Sequence, residues 1–245
     1  MKLKPEQDAF GQAVWDHAHG TKAFEIIERS DGYFAVSSGP SEYLAEPASW
    51  APLVRDALQR HAHGRVLDVG CNAGRHALFL QQQGLDVLGV DVSPLAIAVA
   101  KERGLNAKVL SIDELSAELG MFDTILMLGN NFGLFGSAAK ARRLLRRFKA
   151  FTRPGATLIA ESLNVYETKD PDHLAYLAAN RARGRMSGQI RIRARYKRLV
   201  TPWFDYLMVS PEEMETLVDG TGWRVTNQYP PGGARLNTYI IERNA

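Results

Sequence analysis

The sequence predicts an α/β protein built on an open, doubly wound and mostly parallel sheet. Two observations lead to this fold class. Short apolar runs alternate with helical segments after residue 64, and each run is bounded by Gly, Asp or Pro. Runs of this length are typical of strands buried on both faces, and strand–helix alternation favours a parallel sheet covered by helices. The runs are residues 66–69, 87–90, 107–110, 124–128 and 157–160.

The segments before these runs are predicted to cover the sheet. Residues 5–30 carry apolar side chains at helical spacing, and residues 31–47 are rich in Gly, Ser and Pro, which predicts a loop. We therefore divide the chain into an N-terminal helical cap over residues 1–47 and a sheet domain over residues 48–245.

The segments after the fifth run complete the sheet and add an insertion. Residues 163–209 begin as a polar, irregular stretch and continue as two strands, so we expect them to form a lid over the substrate. A helix and two final strands follow and bring the predicted sheet to seven strands. The helix is predicted at 211–219 and the strands at 223–229 and 238–243, joined by a turn at 230–233.

Composition excludes several classes of protein. The 245 residues are 45% hydrophobic and 23% charged, which is ordinary for a folded globular chain. The single cysteine, Cys71, excludes an internal disulfide and a multi-cysteine metal site, and no metal site is predicted. The net charge of +3 is too weak to imply nucleic acid by itself. With no secretory signal and no apolar stretch of about 20 residues, we expect a cytoplasmic protein without membrane contact.

The first predicted strand runs into a glycine-containing turn that is typical of a nucleotide site. Gly70 and Gly74 let a ligand approach the backbone at a helix N-terminus, and Asn72 lies between them. The spacing departs from the G-x-G-x-x-G dinucleotide pattern, which disfavours a nicotinamide dehydrogenase. Asp68, at the strand end, would repel a pyrophosphate but suits a cationic amino group.

The later strand ends supply the rest of the predicted site. Asp91 can accept hydrogen bonds from two ribose hydroxyls, and Ile112 with Asp113 can hold an adenine between an apolar side chain and a carboxylate. The fourth strand ends at the switch point of the sheet, where ligands bind in this fold class. The cofactor-binding set is Asp68, Gly70, Asn72, Gly74, Asp91, Val92, Ile112, Asp113, Gly129 and Asn130.

These motifs resemble the class I S-adenosylmethionine-dependent methyltransferases over residues 48–162 and 210–243. The resemblance implies S-adenosylmethionine as cofactor, Asp91 as the acid that binds ribose, Asp113 as the acid that contacts adenine, and Gly129 with Asn130 beside the methyl donor. One position departs from the family pattern, since Asn72 replaces the middle glycine. Asn tolerates a left-handed backbone, so the turn can persist.

The acceptor side is predicted with less detail. His173 is the last histidine of the chain and is the candidate general base, and Asn130 and Asn131 are candidates to orient the acceptor. The guanidinium groups of Arg193 and Arg195 are two residues apart on a predicted strand. They can bind an anionic acceptor, or their charge can simply keep an exposed edge strand from pairing with another chain. The substrate-binding candidates are Asn164, Tyr166, Arg193, Arg195, Tyr196, Trp203 and Tyr206.

The predicted activity is methyl transfer to a small metabolite by in-line displacement, with an anionic group on the acceptor as one expectation. Three alternatives remain open. The basic strip at residues 181–198 can instead follow RNA phosphates. A non-catalytic sensor would keep the cofactor site beside a blocked acceptor pocket. An enzyme that consumes the cofactor differently, for example by cyclisation, would show the same cofactor motifs. The sequence does not indicate an oligomeric state.

Overall fold

The computed structural model describes residues 3–37, 39–230, 233 and 235–244. The turn predicted at 230–233 therefore lies partly outside the described residues. The α-helices are α1 Ala9–Ala18, α2 Pro40–Tyr43, α3 Pro52–His61, α4 Arg75–Gln82, α5 Pro94–Glu102, α6 Ala138–Phe148, α7 Pro171–Ala182 and α8 Pro211–Val218. The strands are β1 Glu25–Arg29, β2 Phe34–Ser37, β3 Arg65–Val69, β4 Asp86–Asp91, β5 Ala107–Val109, β6 Phe122–Met127, β7 Thr152–Leu163, β8 Gln189–Tyr196, β9 Leu199–Val200, β10 Phe204–Leu207, β11 Trp223–Tyr229 and β12 Leu236–Arg243.

The larger sheet has seven strands in the order β11-β12-β7-β6-β3-β4-β5. The pairs from β7 to β5 are parallel, and β12 runs antiparallel to both β7 and β11. This order confirms the predicted mostly parallel seven-stranded sheet. The fifth predicted strand is longer than the apolar run at 157–160 that predicted it. It extends from Thr152 to Leu163 and pairs with β12.

Helices cover both faces of this sheet, and each face has its own core. On one face α6 and α8 pack on an aromatic cluster that includes Phe122, Phe135 and Phe148. On the other face α3, α4 and α5 pack around Phe79 and Leu126. Burial of apolar side chains on both faces explains why the central strands read as continuous apolar runs.

A second sheet of five strands lies over the carboxyl ends of the parallel strands. Its order is β10-β8-β1-β2, and β9 pairs with β8. The insertion predicted at 163–209 supplies β8, β9 and β10, as its two-strand end suggested, and it also contains the helix α7 where an irregular stretch was expected. The N-terminal segment and the insertion therefore build one sheet together.

The N-terminal prediction is wrong for residues 25–29 and 34–37. Residues 25–29 are a strand rather than part of a helix, and residues 34–37 form a strand within the predicted loop. The segment Glu25–Arg29 pairs with β8, which lies more than 160 residues later in the chain. Long-range pairing of this kind overrides local helical spacing.

None of the helices in the described part of the chain combines the length and apolar character needed to cross a membrane. The same part of the chain contains no group of three or more His, Cys, Asp or Glu side chains placed to hold a metal ion.

Candidate active site

A cavity of about 610 Å³ lies between the carboxyl ends of the parallel strands and the small sheet. Its floor comes from the loops after β3, β4, β5 and β6, which is where ligands bind in open α/β sheets. Its roof comes from the small sheet and the segment before α3. The floor includes Asp68, Gly70, Asn72, Asp91, Val92, Ile112, Asp113, Gly129 and Asn131. The roof includes Phe10, Ile27, Ser37, Tyr43, Ile192, Phe204 and Tyr206.

The loop after β3 has the tight geometry that its glycines predict. Gly70, Asn72 and Gly74 have φ angles of 75°, 48° and 81°. The side-chain oxygen of Asn72 accepts a hydrogen bond from the backbone N–H of Ala73 at 2.7 Å, which stabilises the left-handed conformation. The departure from the family pattern at Asn72 therefore leaves the turn intact. Gly74 is the N-cap residue of α4 and is not among the residues that line the cavity.

Asn131, in the loop after β6, fixes the position of the loop after β3. Its Nδ2 donates to the carbonyls of Val69 at 3.2 Å and Gly70 at 2.9 Å. A Cβ atom at Gly70 would lie 2.6 Å from that Nδ2, so the glycine is required for this contact. Asn131 thus joins the loops after β3 and β6, and it faces the cavity as well.

Two buried carboxyl groups lie side by side at the ends of β3 and β4. Burial and the neighbouring Asp91 raise the pKa of Asp68 to about 7, against the opposing effect of Arg75. Burial also raises the pKa of Asp91. Asp91 Oδ1 accepts from Ser93 N at 2.9 Å and Oδ2 accepts from Asn72 N at 3.0 Å. Each oxygen of a carboxylate has a second acceptor site, so Asp91 can still accept from a diol.

The loop after β5 places Ile112 and Asp113 at the edge of the cavity. Ser111 caps this turn, since its hydroxyl accepts from the backbone N–H of Asp113. Asp113 Oδ2 also accepts from Lys140 Nζ at 2.8 Å, and its side chain is 45% exposed. The ion pair leaves Asp113 at the place predicted for adenine while reducing its local charge.

The turn after β6 is held from two sides. Gly129 N donates to the buried Glu161 Oε2 at 2.5 Å, and burial raises the pKa of Glu161. Asn130 has a φ of 68°, and its Oδ1 accepts from Leu163 N at 2.8 Å. The Tyr206 hydroxyl donates to the carbonyl of Asn130 at 2.6 Å. The side chain of Asn130 therefore holds β7 rather than lining the cavity, whereas Gly129 does line it.

Of the predicted substrate-binding residues, Tyr206 lines the main cavity, as does Asn131, which was predicted to orient the acceptor. Side chains alternate across β8, so Ile192 and Ala194 face inward while Arg193 and Arg195 face outward. Both arginines donate to Glu28, at 2.6 Å and 2.5 Å from their Nε atoms. They lower the pKa of Glu28 to about 2.

Other predicted acceptor residues also lie away from the cavity. The Arg193 guanidinium stacks on the Trp203 ring at 4.4 Å, and the Tyr196 hydroxyl donates to Asp16 Oδ2 at 2.8 Å. The Tyr166 hydroxyl donates to Glu213 at 2.7 Å on the surface. These contacts give Arg193, Arg195, Trp203, Tyr196 and Tyr166 structural partners outside the cavity.

His173 and Asn164 line a second, smaller cavity of about 180 Å³, which shares Ile27 and Ile192 of the small sheet with the main cavity. His173 Nδ1 lies 3.2 Å from the Thr168 hydroxyl, and its ring contacts Tyr33 edge-on at 4.8 Å. The described residues around the main cavity do not include His173. Its position therefore does not support the predicted role as general base.

Several residues that line the main cavity were not predicted. Phe10 and Tyr43 come from the N-terminal segment, which has no motif of its own. Arg75 directly follows the glycine turn of the first motif, so this position could have predicted that Arg75 lines the cavity. Its Nη1 donates to the carbonyl of Glu42 at 2.8 Å, which links the floor to the roof. Lys140, from the basic helix α6, also reaches the cavity.

Comparisons with known proteins give a consistent assignment. Residues 66–155 match a family model described as a methyltransferase domain. A methyltransferase of 2-heptyl-1-hydroxyquinolin-4(1H)-one from Mycobacteroides abscessus is 37% identical over 110 residues, which cover 42% of this chain and 48% of that protein. Glycine N-methyltransferase of Mus musculus is 30% identical over 125 residues, which cover 44% and 43%. The chain thus spans about half the length of the curated relatives it matches.

One solved structure resembles the whole chain. A methyltransferase from Bacteroides fragilis that depends on S-adenosylmethionine, in complex with S-adenosyl-L-homocysteine, matches with a TM-score of 0.83 and 25% identity. The match covers 100% of this chain and 98% of that one, so it includes the small sheet as well as the large one.

The donor set on the floor of the cavity fits this ligand. A buried carboxyl at Asp68 suits the amino group, the free acceptor sites of Asp91 suit the ribose diol, and Ile112 supplies an apolar surface for adenine. The role of each residue stays a prediction. The fold, the motifs and the comparisons agree that the chain belongs to the class I S-adenosylmethionine-dependent methyltransferases, with S-adenosylmethionine as its cofactor.

Proposed function

We propose that this protein transfers the methyl group of S-adenosylmethionine to a small molecule held under the small sheet. The observation that carries the proposal is the continuity of the main cavity. It extends from the predicted cofactor residues, such as Asp91, to roof residues such as Tyr43, Phe204 and Tyr206. One cavity therefore offers room for the cofactor and for an acceptor beside it. The bound cofactor supplies an electrophilic methyl group on a sulfonium sulfur.

The protein's own contribution is alignment of the two reacting groups. Glu161 and Tyr206 fix the turn at Gly129 and Asn130 from opposite sides, and Asn131 fixes the loop after β3 against it. Alignment of two reacting groups can lower a barrier by roughly 7–11 kcal/mol, so an activated methyl group requires little more than correct placement.

The size of the acceptor is inferred from the roof and from the relatives. The small sheet covers the cavity, which favours a molecule that fits inside it. Two relatives are named for small acceptors, glycine and an alkylated hydroxyquinolone. The expectation of an anionic acceptor loses its basis, because Arg193 and Arg195 lie on the outer face of β8 and pair with Glu28.

The RNA alternative is disfavoured by the partners of the basic side chains. Lys197 pairs with Asp16, and Arg181 donates to Ser187. On α6, Arg142 donates to the carbonyls of Thr216 and Asp219 at the end of α8. Cations at a helix C-terminus stabilise the helix dipole, which is a structural use of these residues.

The proposal is tested by following a labelled methyl group. The protein is incubated with S-adenosylmethionine carrying a tritiated methyl group, a small-molecule extract and bulk tRNA. We expect label in a small molecule other than S-adenosylmethionine and methylthioadenosine, with one S-adenosylhomocysteine formed per methyl group transferred. Label on tRNA would support the RNA alternative, and methylthioadenosine as product would indicate cofactor cyclisation. Cofactor binding without either product or label would identify a sensor.

A further inference from the structure

The hydroxyl groups of the roof have a common orientation. The Tyr206 hydroxyl donates to the carbonyl of Asn130 at 2.6 Å. The Tyr43 hydroxyl donates to Glu25 Oε2 at 3.5 Å. Both tyrosine side chains line the cavity. Because the protons of Tyr206 and Tyr43 are donated to groups behind the wall, these two hydroxyls offer only lone pairs to a ligand.

Glu25 lies directly behind this wall and is fully buried. It begins β1 on the same face as Ile27, which lines the cavity. Its Oε2 accepts from Tyr43, whereas its Oε1 has no hydrogen-bond partner among the described residues. A buried carboxylate without a full set of donors is costly, so this position favours a ligand that brings a positive charge.

The charge of the cavity points in the same direction. Asp68, Asp91, Asp113 and Asp205 line it as carboxyl groups, against Arg75 and Lys140 as cations. Lys140 pairs with Asp113, and Asp205 pairs with Arg191, which does not line the cavity. An excess of carboxyl groups in a site of low polarity attracts a cation and repels an anion.

We propose that the methyl acceptor is an amine, which enters as an ammonium ion, donates to the hydroxyls of Tyr43 and Tyr206, and is balanced by Glu25. This inference rests on the proposed function and specifies the chemical class of its acceptor. An alcohol or phenol can donate a single hydrogen bond, whereas an ammonium can donate to both hydroxyls and carries the complementary charge.

The same residues provide a path for the proton that an ammonium must lose. One N–H bond of the ammonium breaks, and nitrogen keeps the electron pair. The proton passes to the Tyr43 hydroxyl oxygen while the proton of Tyr43 passes to Glu25 Oε2. The products are a neutral amine with a free lone pair, an unchanged tyrosine and a neutral Glu25.

The acidity of Glu25 is suited to this exchange. Burial raises its pKa to about 8, against the hydrogen bonds from Ser37 and Tyr43. An ionised carboxyl group with this pKa is a stronger base than an ordinary carboxylate, and about half of Glu25 is ionised and able to accept a proton at pH 8. The titratable groups that face the pair are Glu42, beside Tyr43 on α2, and Tyr206 on β10. Ionised Glu25 makes the amine easier to bind, so binding should strengthen as pH rises toward 8.

The test uses benzylamine as the probe and benzyl alcohol as its matched neutral analogue. The protein is saturated with S-adenosylhomocysteine, and the carboxyl carbon of Glu25 is followed by ¹³C NMR, with Glu25→Gln to assign the signal. We expect benzylamine to bind and to lower the pKa of Glu25 by at least one unit, and benzyl alcohol to do neither. Glu25→Gln and Tyr43→Phe should each weaken benzylamine binding at least tenfold, and Glu25→Asp should restore part of it.

Glu28→Gln is the control, because Glu28 lies on the same strand but on the opposite face. It should bind benzylamine as the wild type does. Absence of benzylamine binding, equal binding of benzyl alcohol, or full binding by Glu25→Gln would overturn the amine assignment. Unchanged affinity for S-adenosylhomocysteine shows that each variant is folded. Methyl transfer to non-amine small molecules would refute this inference and leave the proposed function intact.

Discussion

Replacing Asp91 by alanine should weaken S-adenosylhomocysteine binding about 100-fold. The carboxylate keeps one free acceptor site on each oxygen after binding Asn72 N and Ser93 N. Hydrogen bonds from two ribose hydroxyls to a charged group, at about 1.5 kcal/mol each, give a loss of about 3 kcal/mol and hence about two orders of magnitude in Kd. Isothermal titration calorimetry measures this change directly.

The same substitution removes the acceptor for two backbone N–H groups, so its structural effect needs a control. Asp91→Asn keeps one side-chain oxygen and should lose less affinity than Asp91→Ala. Asp86→Ala removes a carboxylate from the other end of β4, where Asp86 pairs with Arg65, and should leave affinity unchanged. An unchanged Kd for Asp91→Ala would refute the assignment of Asp91 to the ribose.

Binding of S-adenosylhomocysteine near pH 6 should release close to one proton from Asp68. Burial and the neighbouring Asp91 raise the pKa of Asp68 to about 7, so most of this carboxyl is protonated at pH 6. A cationic amino group favours the ionised form and therefore expels the proton. Affinity should fall as pH decreases from 8 to 6, approaching tenfold per pH unit below 7.

The raised pKa of Asp68 also makes the stability of the free protein depend on pH, and stability falls over the pH range in which cofactor affinity rises. The folded pKa lies above the ordinary value of 3.8. Asp68 therefore contributes most to stability below about pH 4, and this contribution is lost as pH rises from 4 through 7. The loss is about 4 kcal/mol at 1.36 kcal/mol per unit. Bound cofactor should remove part of that loss.

Calorimetry at pH 6 in two buffers with different ionisation enthalpies counts the released proton. For the wild type, the observed enthalpies should differ by nearly the difference between the ionisation enthalpies of the two buffers, and for Asp68→Asn they should agree. At pH 8 the two buffers should agree for both proteins. Proton release that persists in Asp68→Asn would assign the titration to Asp91 instead.

The floor of the site could be predicted from sequence because its residues are tied to local patterns. Asp68, Asp91 and Gly129 each lie at or within two residues of a strand end, and the strands appear as apolar runs. Asn72 could be placed in a left-handed turn because few residues other than Gly and Asn adopt that conformation. Parallel strands then bring these positions to one edge of the sheet.

The roof could not be predicted because long-range pairing decides it. The alternation of arginines on β8 does identify one face of a strand, but not which face points to the cavity. Glu28, 165 residues before Arg193, makes that face an outer ion-paired surface. Glu25 and Tyr43 were missed because their segment was interpreted as helix and loop, and their proximity depends on β1 pairing with β8 and β2.

The central claim is that the cavity floor binds S-adenosylmethionine. The most direct test is to titrate the purified protein with S-adenosylmethionine, S-adenosylhomocysteine, NAD and NADP and to measure the midpoint of thermal unfolding at each ligand concentration. At a concentration 100 times its Kd, a ligand should stabilise the folded state by about 2.7 kcal/mol. For a domain of this size the midpoint should rise by roughly 2–4 °C per kcal/mol. We predict this rise with the two adenosyl ligands and none with the dinucleotides. A rise with NAD or NADP alone would contradict the assignment of the cavity floor to S-adenosylmethionine.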